Sequence, residues 1–313
     1  MTKYLPHGPY LATLPARDAL RTPLHYSDEE LELLQGTNVY SAAIDRRAAW
    51  KSEWARLLIV ASHVDQVWAK GITWYAVPIL HYASINTLLM ICRRERYLAA
   101  ATFISSRAFP SSLMSIKPSL NDPTAHPVLI PLVDALNHAR AVPVSWVVSV
   151  QSGAQVGDKK GSALSLVLHD GAAENSELYN NYGAKPNSEF LLGYGFTLPS
   201  NPDDTMAFKL PGDGRRWEIG RKVTGDLSGL FEAVEERMKT QLGISAEDLE
   251  EMDEVEKVDL SLEATDLFQE MLQGLIMKLP TWIHEDNYQP GARIRPEILD
   301  LVRPYIEGER PIL

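Results

Sequence analysis

Two short segments of this chain combine the residue types from which small-molecule pockets are built. The first runs from Pro131 to His138, and the second runs from Tyr179 to Phe196. Each mixes a polar amide or a tyrosine with tight-turn glycines or apolar anchors. This composition is typical of a preformed pocket, in which a few polar groups orient a ligand, and not of an ordinary surface loop. The two segments therefore predict a binding site for a small molecule.

The common signatures of other chemistries are absent from the sequence. Residues 157–162 have the wrong spacing for a phosphate-binding P-loop, and no GxSxG or HExxH motif occurs. Asp134 and His138 could belong to a Ser/His/Asp hydrolase, but nothing locates the serine. The eight histidines do not fall at metal-ligand spacing, so no metal is expected.

Helices and short strands must position the two segments. Ser27 followed by Glu30 forms a predicted capping box at a helix start. Apolar residues at helical spacing predict a helix within residues 40–70, and a second helical pattern covers residues 95–105. Short strands are predicted at 127–132, 142–150 and 163–169. Beyond a domain boundary near residue 200, helices are predicted at 227–241, 245–256, 260–279 and 294–306, where the acidic run 247–256 is a solvated helix face.

The charge and the cysteine content of the chain limit its possible binding partners and its cellular compartment. The 313 residues carry a net charge of −11, which disfavours tight binding to nucleic-acid phosphates. The acidity fits either a solvated surface or a basic protein partner. The one cysteine, Cys92, excludes a disulfide within the chain and a cysteine-rich zinc site. We therefore expect the cytoplasm or the nucleus, with no secretory signal in residues 1–11.

Residues 72–92 form an uncharged stretch that is long enough to cross a bilayer. The stretch also contains Pro78, His81, Ser84, Asn86 and Thr87, which make a weak membrane segment. A buried or partly buried helix is the favoured interpretation over a transmembrane span, and we expect no membrane association.

Three motifs carry a specific resemblance. They are Ser106-Arg107-Ala108-Phe109, then Asp134 with Asn137-His138, and then Tyr182-Gly183 followed by Asn187, Glu189 and Tyr194-Gly195-Phe196. In this order they resemble the SET-domain protein methyltransferases of the Rubisco large-subunit methyltransferase class, which includes the actin-histidine methyltransferase. Residues 10–37 resemble the inserted helical region of that class, and residues 295–308 resemble the end of its helical C-terminal domain.

The resemblance implies an α+β fold with an unusual topology. Short β-sheets with knot-like threading would carry an inserted helical region, and an all-α substrate-binding domain would follow. Residues 1–200 would form the SET domain with its insert at about 26–105, and residues 201–313 would form the C-terminal domain. The threading would bring residues 134–138 and 182–196 to one pocket.

The resemblance also implies an activity, which is S-adenosylmethionine-dependent methylation of a protein lysine. Tyr182 would be the catalytic residue in an in-line displacement, where positioning dominates. The cofactor would be bound by Ser106, Arg107, Asn137, His138 and Phe196, with Arg107 near its carboxylate and Phe196 against its adenine. The substrate would be bound by Asp134, Tyr194 and Phe109. The expected partner is a protein with a target lysine, and the chain is expected to be a monomer.

Several alternatives stay open at this point. Members of the class begin with a Gly-rich turn that this chain lacks, so we expect a SET core without its first strands. A catalytically inactive interaction scaffold is therefore one alternative, and a protein-histidine methyltransferase is another. Phe109 and Phe196 could be core aromatics, and Asp134 could be a turn or cap residue.

Overall fold

A computed structural model describes residues 7–70, 93–114, 119, 121–150, 162–210, 214–221, 227–282 and 293–313 of the chain. The α-helices are α1 (Gly8–Leu11), α2 (Asp28–Glu32), α3 (Asn38–Val64), α4 (Gln66–Lys70), α5 (Arg93–Arg107), α6 (Asn187–Tyr194), α7 (Leu227–Leu242), α8 (Ala246–Glu251), α9 (Glu254–Lys278) and α10 (Pro296–Glu309). The strands are β1 (Ala108–Pro110), β2 (Pro127–Leu129), β3 (Asn137–His138), β4 (Val144–Val150), β5 (Ser162–Leu168), β6 (Tyr179–Asn180), β7 (Thr205–Phe208) and β8 (Trp217–Gly220).

These elements form two compact units. The first unit contains residues 1–20 and 48–185, and the second contains residues 21–47 and 186–313. One boundary falls inside the long helix α3. The division that was predicted near residue 200, between a SET domain and a C-terminal domain, stays a prediction.

Short two-stranded sheets make up the β-structure of the first unit. Strand β1 follows α5 without a loop and pairs antiparallel with β2. Strands β4 and β5 form an antiparallel ladder of seven residue pairs, from Val144 opposite Leu168 to Val150 opposite Ser162. Strand β3 pairs with β6 in parallel, although many residues of the chain separate them. This last pairing matters most for the site, because it joins the two polar segments.

The second unit has its apolar core around the predicted capping box, which is confirmed. Ser27 Oγ accepts from the backbone N–H of Glu30, and the Glu30 side chain accepts from the N–H of Ser27. The helix places Leu31 in a cluster with residues from α3, α6 and α10, all of them almost completely buried: Val39, Ala43, Leu191, Ile298, Val302, Tyr305 and Ile306. Burial of such side chains contributes about 1.5–3 kcal/mol each.

A β-hairpin, which no sequence pattern predicted, lies between α6 and α7 in the chain. Strands β7 and β8 pair antiparallel, with Thr205 opposite Gly220 and Phe208 opposite Trp217. Met206 and Phe208 alternate with more exposed neighbours, and Phe208 packs into a second cluster with Leu230 and Val234 of α7. Four-residue strands flanked by charged residues give too short an alternation to recognise.

The break between α8 and α9 corrects two predicted helix boundaries. Helix α8 ends at Glu251 and α9 begins at Glu254, whereas the sequence pattern predicted one helix up to Glu256 and the next from residue 260. Asp253 is the cause, since its carboxylate accepts from the N–H groups of Val255 and Glu256 at 2.8 and 2.9 Å. The Glu256 side chain accepts from the N–H of Asp253 in return, at 2.8 Å. An Asp-x-x-Glu capping box was therefore present within the acidic run.

The uncharged stretch 72–92 lies outside the described residues, and so does Cys92. Within the described parts of the chain, no helix has the length and apolar character that a membrane span requires.

Candidate functional site

The parallel pairing of β3 with β6 builds the centre of the candidate site. Asn137 lies opposite Tyr179 and His138 lies opposite Asn180, and the N–H of Ala139 donates to the carbonyl of Asn180 at 3.0 Å. The first segment and the start of the second, which were singled out for their composition, are thus neighbours in the first unit.

Asparagine side chains shape the turn that leads out of β6. Asn181 Nδ2 donates to the carbonyl of Val142 at 3.2 Å, and Asn181 Oδ1 accepts from the N–H of Gly183 at 2.9 Å. Gly183 has a φ of +98°, which glycine adopts at little cost. The turn therefore holds Tyr182 between a hydrogen-bonded asparagine and a glycine that permits the change of direction.

Tyr182 is bound to the first segment at two points. Its hydroxyl donates to the carbonyl of Leu136 at 2.8 Å, and its backbone N–H donates to Nδ1 of His138 at 3.0 Å. The two rings stack, with centroids 5.2 Å apart and an interplanar angle of 29°. Burial lowers the pKa of His138, and Nδ1 accepts a hydrogen bond, so both effects favour the neutral imidazole.

Asp134 and Arg107 meet beside this pair. Arg107 is the last residue of α5, and its Nη1 donates to the backbone carbonyl of Asp134 at 2.8 Å. Asp134 lies in a short 3₁₀-helix and is only 6% exposed. One carboxylate oxygen, Oδ2, accepts from the hydroxyl of Tyr10. The other, Oδ1, is buried and has no hydrogen-bond partner among the described residues.

The backbone just before Asp134 is strained. Leu132 has φ +77° and ψ −42°, a conformation that costs an L-amino acid about 1–3 kcal/mol, and its side chain is 80% exposed. Strain of this kind persists where surrounding contacts over-determine the backbone, and it concentrates at functional sites. The bond from Arg107 to Asp134 is one such contact.

Comparisons with known proteins bear on this geometry. No protein-family model matches the chain. Ribosomal lysine N-methyltransferase set10 of Schizosaccharomyces pombe is 32% identical over 201 residues, which are 64% of this chain and 30% of that protein. Ribosomal lysine N-methyltransferase 1 of Saccharomyces cerevisiae is 31% identical over 214 residues, which are 64% of this chain and 34% of that protein. The chain thus spans 30% and 34% of the length of these curated relatives.

A solved structure matches almost the whole chain. It is the crystal structure of the SET domain of LSMT bound to lysine and AdoHcy, with a TM-score of 0.63 and 16% identity. The match covers 99% of this chain and 70% of that one. The chain therefore has the SET-domain methyltransferase fold. The α+β class with helices and short sheets is confirmed, as is the resemblance that was based on the three motifs.

The SET fold brings together five of the predicted site residues in the first unit. These are Arg107, Asp134, Asn137, His138 and Tyr182. Hydrogen bonds join Arg107 to Asp134 and Tyr182 to His138, and Asn137 precedes His138 in β3. Ser106 precedes Arg107 in α5, and its hydroxyl donates to the carbonyl of Thr102 at 2.7 Å. Phe109 of β1 packs edge-on against Trp146, with ring centroids 5.6 Å apart.

The remaining two predicted residues lie in the second unit of the SET fold. Phe196 stacks on Phe190 with ring centroids 4.7 Å apart, and Tyr194 lies 6.1 Å from Phe196. Gly195, between them, has a φ of +80° and lies so close to the backbone of Arg21 that a Cβ would be 2.8 Å from its carbonyl carbon. The motif glycine is therefore required by packing, and the roles predicted for Tyr194 and Phe196 in binding stay predictions.

Two further residues contact the candidate site, and no sequence motif predicted a role for them. One is Tyr10, which binds Asp134. The other is Glu177, which accepts from Asn137 Nδ2 at 2.7 Å and from the Tyr179 hydroxyl at 2.9 Å. Glu177 and Tyr179 are two residues apart, a spacing that places side chains on one face of an extended segment. The contact with Asn137, 40 residues away, has no comparable signal in the sequence.

A groove of about 840 Å³ lies in the second unit of the SET fold. It is bounded by parts of α3, α6, α9 and the β7–β8 hairpin, with Phe208, Leu275 and Leu192 among its apolar lining. None of the site residues that were predicted from the motifs lines this groove.

Proposed function

We propose that this chain is an S-adenosylmethionine-dependent protein-lysine N-methyltransferase. The observation that carries the proposal is the pairing of β3 with β6, which places Tyr182 against Leu136 and His138. The names of the curated relatives, which are lysine N-methyltransferases, support the same activity. The lysine and AdoHcy bound to the similar LSMT structure support this choice of substrate and cofactor.

The donors and acceptors of the first unit fit such a cofactor. S-adenosylmethionine has a carboxylate, an ammonium group and an adenine, and it supplies an electrophilic methyl group when bound. Arg107 has five N–H donors, so its one bond to Asp134 leaves capacity to grip a carboxylate. Asn137 donates its Nδ2 to Glu177, which directs its Oδ1 as an acceptor for an ammonium group. His138, next to Asn137 in β3, would complete the cofactor-binding set.

Tyr182 would act through its phenolic oxygen. A phenol oxygen can accept a hydrogen bond while its proton is donated, here to the carbonyl of Leu136. A fixed acceptor can align an attacking amine and can favour the geometry of a polarised methyl group through weak C–H···O contacts. Positioning of this kind is the main contribution that a protein makes to an in-line displacement.

Asp134 would attract the target side chain. A buried carboxylate oxygen without a partner is a suitable acceptor for an ammonium group. Since a neighbouring carboxylate favours the charged form of an amine, the bound lysine would lose its proton less readily, and turnover is expected to rise with pH. The nitrogen–methyl bond forms as the sulfur–methyl bond breaks, and the amine proton goes to solvent.

Isothermal titration with S-adenosylmethionine tests the cofactor first. Binding in the micromolar range supports the proposal, and no binding at millimolar concentration contradicts it and favours a non-catalytic scaffold. Purified yeast ribosomes and tritiated cofactor then test methyl transfer, with ribosomes chosen because of the relatives' names. Mass spectrometry of the labelled protein distinguishes a methyl-lysine from a methyl-histidine, and methyl-histidine would overturn the lysine assignment.

Tyr182→Phe separates catalysis from cofactor binding. We expect methyl transfer to fall by a factor of about 100 or more, since a positioned transition-state contact is lost, while cofactor affinity changes by less than about 3-fold. Tyr97→Phe, which removes a hydroxyl from α5 in the same unit, is the matched control and should leave both unchanged. Equal activity of the Tyr182→Phe variant and the wild type would contradict the catalytic role.

A further inference from the structure

Tyr10 makes a contact that the proposed roles do not yet use. It lies in α1 and donates its hydroxyl to Oδ2 of Asp134, a residue 124 positions further along the chain. Tyr10 is partly buried, and burial together with the neighbouring carboxylate raises its pKa to about 12. The phenol therefore stays protonated over the physiological range and keeps its proton available for the bond to Asp134.

The two oxygens of Asp134 differ because of this bond. Oδ2 is held by Tyr10, whereas Oδ1 is buried without a hydrogen-bond partner in the described parts of the chain. A buried acceptor without a donor destabilises the folded protein, and more so where it carries charge. A ligand that donates a hydrogen bond to Oδ1 would offset that destabilisation. The carboxylate of Asp134 thus has a hydrogen-bond donor at one oxygen and could accept a further bond from a ligand at the other.

The backbone on either side of Asp134 is fixed by the same group of residues. Arg107 binds the carbonyl of Asp134, and Tyr182 binds the carbonyl of Leu136 two residues later, both at 2.8 Å. Only the side-chain torsions of Asp134 remain to be set, and the Tyr10 hydroxyl sets them. A carboxylate held at its backbone and at one oxygen presents the other oxygen in one direction, which is the condition for precise recognition.

We propose that Tyr10 is a positioning residue, which holds Asp134 so that its Oδ1 accepts a hydrogen bond from the ammonium group of the target lysine. The inference rests on the proposed function, because the ligand it assigns to Oδ1 is the methyl acceptor. Tyr10 itself does not contact the substrate. Its effect passes through Asp134, so its loss should have no further consequence once the Asp134 carboxylate is gone.

A double-mutant cycle on lysine binding tests this dependence. Free L-lysine is titrated into the full chain saturated with S-adenosylhomocysteine, for the wild type, Tyr10→Phe, Asp134→Asn and the double variant. We expect Tyr10→Phe to weaken lysine binding about 10-fold and Asp134→Asn to weaken it at least as much. The double variant should bind as weakly as Asp134→Asn alone, within about 3-fold, because the two residues act as one unit.

The other outcomes have distinct meanings. Multiplicative losses in the double variant would show that Tyr10 acts independently of Asp134 and would overturn the inference. Binding of S-adenosylhomocysteine without binding of lysine by the wild type would also overturn it, while the cofactor site would stand. Failure of the wild type to bind S-adenosylhomocysteine would overturn the proposed function and the inference together.

Two measurements on these variants test whether a substitution disrupts folding. Tyr10→Phe should bind S-adenosylhomocysteine within about 3-fold of the wild type, which a disrupted first unit would not do. Tyr97→Phe again removes a hydroxyl elsewhere in that unit, and it should leave lysine binding unchanged. An equal loss of lysine binding in Tyr97→Phe would show that the effect of Tyr10→Phe is general destabilisation, and this would overturn the inference.

Discussion

Two buried carboxylates, one in each compact unit, are bonded in opposite ways. Glu30 of the second unit is 1% exposed and accepts four N–H bonds, from Ser27 N at 2.9 Å and from Arg295 N, Nε and Nη2 at 3.0, 2.7 and 2.8 Å. Asp134 of the first unit is 6% exposed, yet only one of its carboxylate oxygens has a partner among the described residues. Burial alone therefore does not distinguish a structural carboxylate from one that is available to a ligand.

The two carboxylates differ in how many of their oxygens already accept hydrogen bonds from the protein. For Glu30, burial alone would raise the pKa, but the hydrogen bonds from Arg295 and Ser27 outweigh burial and lower it. The carboxylate is thus stabilised in its charged form as part of the core around α2. Asp134 keeps an unfilled oxygen at the price of stability, which is typical of residues that bind ligands.

Loss of the Glu30 charge should have the largest effect on stability. Glu30→Gln leaves Arg295 without its bidentate partner, and breaking a buried pair on one side costs about 3–5 kcal/mol. Because Arg295 is 31% exposed, we expect a loss of about 3 kcal/mol in the free energy of unfolding, measured by urea denaturation. The neighbour Glu29 pairs with Arg293 at the surface, and Glu29→Gln should cost less than about 1 kcal/mol. Equal losses of unfolding free energy in Glu30→Gln and Glu29→Gln would show that the buried ion pair of Glu30 contributes no more than a surface pair.

Glu309 offers an intermediate case, which is sensitive to pH. Its Oε1 accepts from the Tyr305 hydroxyl at 2.6 Å, and its Oε2 is buried without a partner in the described residues. Burial and the nearby charge of Asp204, which itself faces Arg221, raise the pKa of Glu309 to about 7, although the Tyr305 bond opposes this. The folded state therefore holds this proton more tightly than the unfolded state does.

The sign of the pH dependence follows from that shift. The contribution of Glu309 to stability is fully present below its ordinary pKa of 4.5 and is lost as the pH rises through about 7. The loss amounts to about 3 kcal/mol at most. We expect Glu309→Gln to be more stable than the wild type at pH 8 by about 2 kcal/mol, with the difference disappearing near pH 4.5. Parallel stability curves for the two proteins between pH 4.5 and 8 would contradict this.

Asp134→Asn should have the smallest effect on stability. The amide keeps an acceptor for Tyr10 and removes a buried charge, so the free energy of unfolding should change by less than about 1 kcal/mol. Lysine binding should nevertheless fall at least 10-fold, as in the cycle described above. Thermal unfolding of the Asp134→Asn variant checks the first expectation, and the lysine titration checks the second. A large loss of stability in this variant would place Asp134 with Glu30 among the structural carboxylates.

Local signals in the sequence predicted the elements that depend on neighbouring residues. The capping box at Ser27 and Glu30, the long helix that became α3 and the strands β4 and β5 each rest on patterns within a few residues. The hairpin β7–β8 was missed because its alternation is four residues long. The break at Asp253 was missed because its capping signal lies inside an acidic run that also fits a continuous helix.

The sequence by itself determined the class of fold and the set of chemical groups, since the three motifs occur in a specific order along the chain. Only the tertiary structure decided which carboxylate oxygens accept hydrogen bonds from other parts of the protein. The partner of Glu30 lies 265 residues away and the partner of Asp134 lies 124 residues away, and no spacing rule connects such pairs. Hydrogen bonding between distant residues depends on how the elements pack, and here that packing leaves one carboxylate oxygen of Asp134 without a partner among the described residues.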